Sequence, residues 1–424
     1  MAKLSKKCII CMEEDYNDWE KILREVPGVV DMISYINAET KKEDIKGKLL
    51  WICQGFKLGL TKEQVAVYAK PIFNIPQMQQ IYYGYQHHLS DEQIEYMAKP
   101  EYDWWRMDEI DMAFKEGLSK KQIETYISKS LKPEVMEQIR IAYKEGLPYE
   151  DVELMISNTF DWNQVEEIRY ALQCNVHVPR DKVKKYLKPQ FDGEQMRQIR
   201  LGLISNIVTD EQLDLYANVG YSWQQMHEIR QGFVEGLSID QVKAYAIFSL
   251  EPSVMEQMRH GLVEDKLTVD QVKIFANNML DIEQIKLARR GFVKGFTTEQ
   301  VKLYADAKFN RGQTFEIYHG FVNNLSMDQV KIYADPAFDE NQMYVIRKAI
   351  EDNITEEYIK IFADPRYDDE LMSRIVEAIK ANYSEEKIHK FVETPNLLEK
   401  EKQMKEKISK RERKERLIQL VEAN

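Results

Sequence analysis

The sequence predicts an all-α protein, a right-handed-type α-solenoid of about twelve two-helix repeats, each 29–31 residues long. One observation is an amphipathic helix that recurs, for example as GEQMRQIRLGL (193–203), WQQMHEIRQGF (223–233) and ENQMYVIRKAI (340–350). The second is a Gly or Ala that returns at one position of this helix. The third is a capping sequence for a shorter helix. Units that cannot bury an apolar face alone must stack on their neighbours, which is typical of solenoids.

The small residue of each long helix marks the origin of its repeat. The twelve origins are Gly55, Gly84, Ala113, Ala142, Ala171, Gly202, Gly232, Gly261, Gly291, Gly320, Ala349 and Ala378. In most copies a large apolar residue, often Met, stands six positions earlier and Ile three positions earlier, so the helix has one buried stripe. A small residue within that stripe predicts close approach of a neighbouring helix, which explains glycine despite its low helix propensity.

Each long helix is followed by signals for a helix end and a second helix start. Four residues past the origin stands Gly or Asn in most copies, and these residues adopt the left-handed conformation that closes helices. A Ser or Thr follows, with Gln three residues later, which predicts a capping box. The glutamines are Gln64, Gln93, Gln122, Gln212, Gln241, Gln271, Gln300 and Gln329. The second helix is predicted to be short, about eight residues, and therefore to depend on packing.

The connector between repeats often reads Pro, any residue, an aromatic residue, then Asp, as in KPQFD (188–192) and DPRYD (364–368). Proline ends the short helix and Asp caps the next long one. We predict an N-terminal cap over residues 1–43, the solenoid over 44–392 and a charged C-terminal helix over 393–424. That helix carries nine Lys/Arg and five Glu between Glu399 and Arg416. It either stays solvated, docks on the last repeat or pairs with another chain.

Composition restricts the classes of function. The net charge of −12 argues against a general nucleic-acid coat, because phosphate binding needs a concentrated basic surface. No apolar run is long enough for a transmembrane helix, and the N-terminus lacks the pattern of a signal peptide. Four scattered cysteines fit a reducing compartment without disulfides. These features predict a cytoplasmic protein, in a bacterial or phage-infected host cytosol, without a membrane partner.

An arginine recurs two residues before the origin, and this series is the candidate partner-binding set. Its members are Arg140, Arg169, Arg200, Arg230, Arg259, Arg289 and Arg347. One interpretation is a cationic rail for a phosphate backbone or an acidic peptide. The other is structural, because an acid stands near the start of the short helix in eleven of twelve repeats, from Glu63 to Glu386. Such an acid suits the helix dipole and is available to an arginine of an adjacent helix. We favour the structural interpretation.

Other chemical motifs are weak. The pair Cys8 and Cys11 has no second metal-ligand pair at zinc spacing, and His260 and His319 lie two repeats apart. No phosphate loop or nucleophile motif is present, so we expect no enzyme, no cofactor and no metal site. Trp104, Trp162 and Trp223 follow helix caps and are predicted to be packed. Extra residues in the central turns of repeats five, six and eight map to one edge, where solenoids often bind.

The unit QM..IR.G...GL[ST].[ED]QV..YA resembles uncharacterised α-helical repeat proteins of low-G+C gut bacteria and of their phages and conjugative elements. The resemblance covers about residues 44–392. It implies the helical-repeat fold and a mobile-element setting, and it carries over no activity.

The sequence therefore predicts a non-catalytic binding scaffold whose partner is a macromolecule, most readily a protein. In a mobile-element setting that partner is a host defence enzyme or a nucleic-acid enzyme, which an acidic surface engages through basic patches. One alternative is a nucleic-acid-binding solenoid that uses the arginine series and the basic tail. Another is a structural assembly component that oligomerises through residues 393–424.

Overall fold

The computed structural model describes residues 42–156, 159–173, 178–205, 208–394, 403–404 and 406–416, with Arg24, Val30 and Met32. Within these ranges the chain is helical and without strands, so the predicted all-α class is confirmed. Neighbouring helices pack in chain order, as expected of an α-solenoid built from repeated helix pairs. The predicted N-terminal cap, apart from those three single residues and Lys42 and Glu43, lies outside the described residues, as does much of 393–424.

Twelve long helices each contain one origin residue. They are α1 (Lys42–Leu58), α3 (Ile75–Gln86), α5 (Trp104–Lys115), α7 (Pro133–Lys144), α9 (Trp162–Gln173), α11 (Gly193–Leu203), α13 (Trp223–Val234), α15 (Pro252–Val263), α17 (Ile282–Val293), α19 (Arg311–Val322), α21 (Glu340–Glu351) and α23 (Asp369–Lys380).

The short helices alternate with them. They are α2 (Lys62–Tyr68), α4 (Asp91–Met97), α6 (Lys120–Ile127), α8 (Tyr149–Val152), α10 (Arg180–Tyr186), α12 (Asp210–Tyr216), α14 (Ile239–Lys243), α16 (Val269–Ile274), α18 (Thr298–Tyr304), α20 (Met327–Lys331), α22 (Glu356–Phe362) and α24 (Glu385–Glu393).

The chain divides into two compact units, Met1–Asn206 and Ile207–Asn424. The first contains α1 to α11 and the second α12 to α24. Within each unit, every long helix packs on the next long helix and on the short helix of its own repeat. The apolar stripe is the core of both units: Met78 and Ile81 in the first, and Met226 and Ile229 in the second, have no exposed surface.

The predicted helix ends are confirmed where the structure describes them. Backbone φ is positive at Gly59, Gly117, Gly146, Gly236 and Gly295 and at Asn324, Asn353 and Asn382. All eight predicted glutamines complete a capping box with the preceding Ser or Thr. The remaining two predicted Asn positions, Asn175 and Asn206, lie outside the described residues.

The origin residue is small for a reason that the sequence did not show. In four repeats a tyrosine at or just past the end of the short helix donates its hydroxyl to a long-helix carbonyl, as Tyr245 does to Glu228 O at 3.2 Å. A Cβ on Gly232 would lie 1.9 Å from that hydroxyl oxygen. The pairs Gly55–Tyr68, Gly291–Tyr304 and Gly320–Tyr333 repeat this clash. Close approach is confirmed, but the group that approaches is a tyrosine side chain of the same repeat.

The three tryptophans contradict the prediction that they are packed. Trp104, Trp162 and Trp223 are 50%, 44% and 40% exposed. Each is the first residue of its helix, so no preceding helical turn covers it. Nine residues at 100° per residue also place it half a turn from the origin. A cap position alone therefore does not indicate which way the next side chain points.

Candidate binding site

Six of the seven arginines, all except Arg230, lie between successive long helices. Each of the six reaches back to the preceding repeat, where two positions supply acceptors, one four residues before the origin and one three residues after it. Arg259 shows the full arrangement: its Nε donates to Glu228 at 2.8 Å and its guanidinium also donates to Glu235 at 2.6 Å. Arg259 is 8% exposed. The ion pairs therefore join α13 to α15 from within the packed edge of the stripe.

The same two positions serve most of the other arginines. Arg140 contacts Glu109 and Glu116, Arg169 contacts Gln138 and Glu145, Arg200 contacts Glu167, Arg347 contacts Glu316, and Arg289 contacts Gln257, Glu264 and Asp265. Arg347 also pairs with Glu351 of its own helix, and Arg230 lies 3.3 Å from His227 Nδ1.

These contacts correct the partner that the sequence suggested. The acids near the start of the short helices, such as Glu63, Asp240 and Asp328, are exposed and make none of the arginine ion pairs. They occupy the first turn, where an acid stabilises the helix dipole. The extra turn residue of repeat eight is used in the same network, because both Glu264 and Asp265 hold Arg289.

In one of these interhelical pairs the acidic and basic residues have exchanged positions. At the arginine position of repeat three stands Asp111, which is 1% exposed, and the acceptor position before it holds His87. His87 Nδ1 lies 2.6 Å from Asp111 Oδ2. Burial raises the pKa of Asp111, and the hydrogen bond with His87 opposes that rise. The two long helices are thus still joined by a pair, with the acid on the later helix.

A buried glutamine that sequence reasoning missed links six of the described repeats to the repeat that follows. In Gln225, Oε1 accepts from Ser222 N–H at 2.9 Å, which caps α13. Its Nε2 donates to Phe248 O at 3.0 Å and to Leu250 O at 2.7 Å in the following connector. Equivalent glutamines are Gln77, Gln164, Gln284, Gln313 and Gln342. The signal was present, since Gln precedes Met in many copies of the long helix.

Several exposed cations and aromatic rings of the second unit line two cavities formed by α15, α17, α19 and α21. We call the surface of these cavities the cation–aromatic face, and its members are Lys286, Arg290, Val293, Lys294, Arg311, Phe315 and Tyr344.

The first of two cavities on this face is basic. It has a volume of about 630 Å³ and lies among α15, α17 and α19. Arg290 and Lys294 stand at it, exposed, and make no hydrogen bond or ion pair with any residue that the structure describes. Val293, 58% exposed, and the buried ring of Tyr318 supply apolar surface. The cavity therefore offers two positive charges that are not held in an ion pair by a described side chain, beside apolar atoms.

The second cavity is aromatic. It has a volume of about 540 Å³ and lies between α19 and α21. Phe315 and Tyr344 line it and are 45% and 48% exposed. The Phe315 ring packs on the His319 ring with centroids 4.1 Å apart, which orients it. Arg311 and Glu340 add one charge of each sign.

Neither a protein-family model nor a curated protein matches the chain. In the described residues no group of three or more His, Cys, Asp or Glu side chains is arranged to hold a metal ion. The pair Cys8 and Cys11 lies outside the described ranges. Among the helices described, none has the length and apolar character needed to cross a bilayer.

Proposed function

We propose that the protein is a non-catalytic scaffold that captures a protein partner on the cation–aromatic face. One observation carries this proposal: a cavity lined by the unpaired cations Arg290 and Lys294 and a cavity lined by the exposed rings Phe315 and Tyr344 share helix α19 as a common wall. Aromatic and arginine side chains dominate the binding energy of protein interfaces. The cytoplasmic location expected from the sequence belongs to the same proposal, as does an enzyme of host defence or of nucleic-acid processing as the partner.

The arginine series does not form the contact surface in this proposal. Arg140, Arg169, Arg259 and Arg347 are at most 8% exposed, and their charges are paired with side chains of the preceding long helix or of their own. A partner would have to displace those pairs and desolvate both members, which costs several kcal/mol for each buried ion. The surface available for binding is therefore on the exposed side of the long helices.

A protein partner is favoured over nucleic acid because the surface carries both signs of charge. Glu283 lies on α17 with Lys286 and Arg290, and Glu340 lines the aromatic cavity together with Arg311. A phosphate backbone would meet these carboxylates at each step along the face, whereas a folded or extended protein segment presents both charges and apolar groups.

Assembly through the C-terminal helix is a second proposal. In the described part of that helix, Met404 and Ile408 are 64% and 48% exposed. Their spacing of four residues puts both on one side of the helix, where a second helix would cover them.

The test is affinity capture from the lysate of a host cell, with and without nuclease treatment. We expect a protein that is retained after nuclease and lost when Phe315→Ala and Tyr344→Ala are combined. The matched control combines Trp104→Ala and Trp162→Ala, which also removes two exposed rings but leaves the face intact. Capture that survives loss of Phe315 and Tyr344, or that disappears with nuclease, would contradict the proposal.

A further inference from the structure

We infer that the cation–aromatic face recognises an extended acidic segment of its partner, in which a carboxylate residue and a large apolar residue are about three residues apart, in either order. The carboxylate lies in the basic cavity beside Arg290 and Lys294, and the apolar side chain lies in the aromatic cavity between Phe315 and Tyr344. This inference rests on the proposed function and specifies the chemistry of the partner.

The sign of the first cavity follows from which charges are already compensated. Its carboxylate Asp265 is bound to Arg289, and Glu264 beside it binds the same guanidinium at 2.6 Å. Lys286 is bound to Glu283 at 2.9 Å. Arg290 and Lys294 have no such partner among the described side chains, so the cavity has two positive charges to offer. In a chain of net charge −12 this is a local exception, and it favours an anionic group.

Apolar atoms beside these cations indicate that the ligand combines its anionic group with apolar carbon atoms. The exposed Val293 and the buried Tyr318 line the same cavity as Arg290. Burial raises the pKa of the Tyr318 hydroxyl, so this ring adds no negative charge near neutral pH. An Asp or Glu side chain on a polypeptide presents a carboxylate together with apolar carbon and matches that lining.

The spacing follows from the position of α19 between the two cavities. Tyr318 of α19 lines the first cavity, and Arg311, Gly312 and Phe315 of the same helix line the second. Packed helices lie about 8–10 Å apart, so the cavities are separated by about one such distance. An extended chain advances about 3.3 Å per residue, which corresponds to about three residues between the two side chains.

A single-stranded nucleic acid is the competing ligand, since phosphates suit Arg290 and Lys294 and bases stack on exposed rings. The exposed carboxylate of Glu340, which lines the aromatic cavity, disfavours it. The test therefore includes an oligonucleotide.

The experiment selects random twelve-residue peptides on the full chain by display and measures their binding by fluorescence anisotropy. We expect enriched peptides to carry Asp or Glu about three residues from Phe, Tyr, Trp or Leu, in either order, as the helix spacing requires. We expect binding to weaken at least about tenfold in the double variant Arg290→Glu/Lys294→Glu, because the charges then repel. The control variant Lys302→Glu/Lys331→Glu makes the same charge change at exposed lysines of short helices α18 and α20 and should bind like the unmodified chain.

Several results would overturn the inference: recovery of no peptides, enrichment without the acidic–apolar pair, binding unchanged by Arg290→Glu/Lys294→Glu, or displacement of the peptide by a twelve-residue oligothymidylate. The melting temperature of each variant checks that it is folded. A partner captured from lysate that needs Phe315 and Tyr344 but binds normally without Arg290 and Lys294 would contradict the inference and leave the proposed function standing.

Discussion

At the scale of the residue, this protein places polar side chains inside its core where they serve two helices at once. The glutamine at the start of a long helix satisfies a backbone N–H of its own cap and two carbonyls of the next connector, as Gln225 does while only 6% exposed. In the first repeat Lys48 substitutes for it and donates to Pro71 O at 3.0 Å. Burying the glutamine amide costs little free energy because its oxygen and its nitrogen both form hydrogen bonds with backbone groups that need a partner.

Replacing Gln225 with Leu should lower the free energy of unfolding by about 2–4 kcal/mol, because the Ser222 N–H loses its acceptor and two buried carbonyls lose their donor. Urea unfolding followed by circular dichroism measures the change. The adjacent Gln224 is exposed, and Gln224→Leu is the matched control with an effect of about 0.5 kcal/mol or less. Equal midpoints for the two variants would show that the glutamine link is not stabilising.

The arginine series allows a similar comparison. Arg259→Gln should destabilise by about 3 kcal/mol, because Glu228 and Glu235 are left beside an uncharged partner in a mostly buried site. Arg290→Gln removes the same charge from an exposed, unpaired position and should change stability by about 0.5 kcal/mol or less. Thermal melts of both variants measure the difference. A loss of stability by Arg259→Gln as small as that of Arg290→Gln would make the arginine series a candidate partner-binding set again.

Glu351 should make stability depend on acid pH. Burial opposes its ionisation, but hydrogen bonds from Lys348, Asn323 and Arg347 outweigh burial and lower its pKa to about 2. An unfolded Glu has a pKa of about 4.3. Its contribution is therefore fully present above about pH 4.3 and is lost as the pH falls through about 2.

The measurement compares the unfolding free energies of the unmodified chain and Glu351→Gln from pH 7 to pH 2. The advantage of the unmodified chain should stay constant down to about pH 4.3 and shrink below it. Glu356→Gln removes an exposed carboxylate paired with Lys360 and serves as the control, with little difference at any pH. A gap that is as wide at pH 2 as at pH 7 would rule out Glu351 as its source.

At the scale of the element, long and short helices are matched through the origin residue and the last aromatic residue of the short helix. Four Gly origins face a tyrosine hydroxyl at a distance that excludes a Cβ, whereas Ala349 is matched by Phe362, which has no hydroxyl. Ala113 is paired with Tyr126, but there the hydroxyl donates to the Glu109 carboxylate instead of to a backbone carbonyl. Side-chain size on one helix is thus compensated by side-chain chemistry on the other.

Gly232→Leu should strongly destabilise the second unit, by about 3 kcal/mol or more, because its side chain enters the volume of Tyr245. Gly232→Ala should also destabilise, and adding Tyr245→Phe should recover part of that loss by removing the clashing oxygen. Differential scanning calorimetry of the three variants provides the measurement. An unchanged melting temperature for Gly232→Leu, or no recovery in the double variant, would indicate that the origin residues face solvent and do not contact the short helix.

Across the whole chain, stability is distributed within each unit over contacts between adjacent repeats, since within a unit each long helix packs on the next and on the short helix of its own repeat. Helix formation by such a chain depends on this stacking, because helices of four to nine residues are too short to persist alone. Far-ultraviolet circular dichroism should report more than half of the residues as helical. A spectrum with a measurable β-sheet component would contradict the fold.

Helix starts and helix ends can be predicted from the sequence alone, because they depend on residues within about four positions of one another. Helix starts follow from Ser, Thr or Asp with Gln three positions on, and helix ends from Gly or Asn with positive φ, because these groups act on backbone atoms next to them. The twelve-fold repeat and the all-α class follow from the same local signals, since each repeat has the same period.

Only the tertiary structure decided which groups meet across repeats. Arg259 binds Glu228 and Glu235, which lie 31 and 24 residues earlier in the chain. The exposed Asp240, the acid that the periodic pattern suggested as a partner, makes none of these bonds. Such pairs depend on how far neighbouring helices are shifted along their axes relative to one another. The sequence period alone does not give that shift. The same stacking exposed Trp223 and brought Arg290 beside Tyr318, so the candidate binding face became visible only once neighbouring helices were placed side by side.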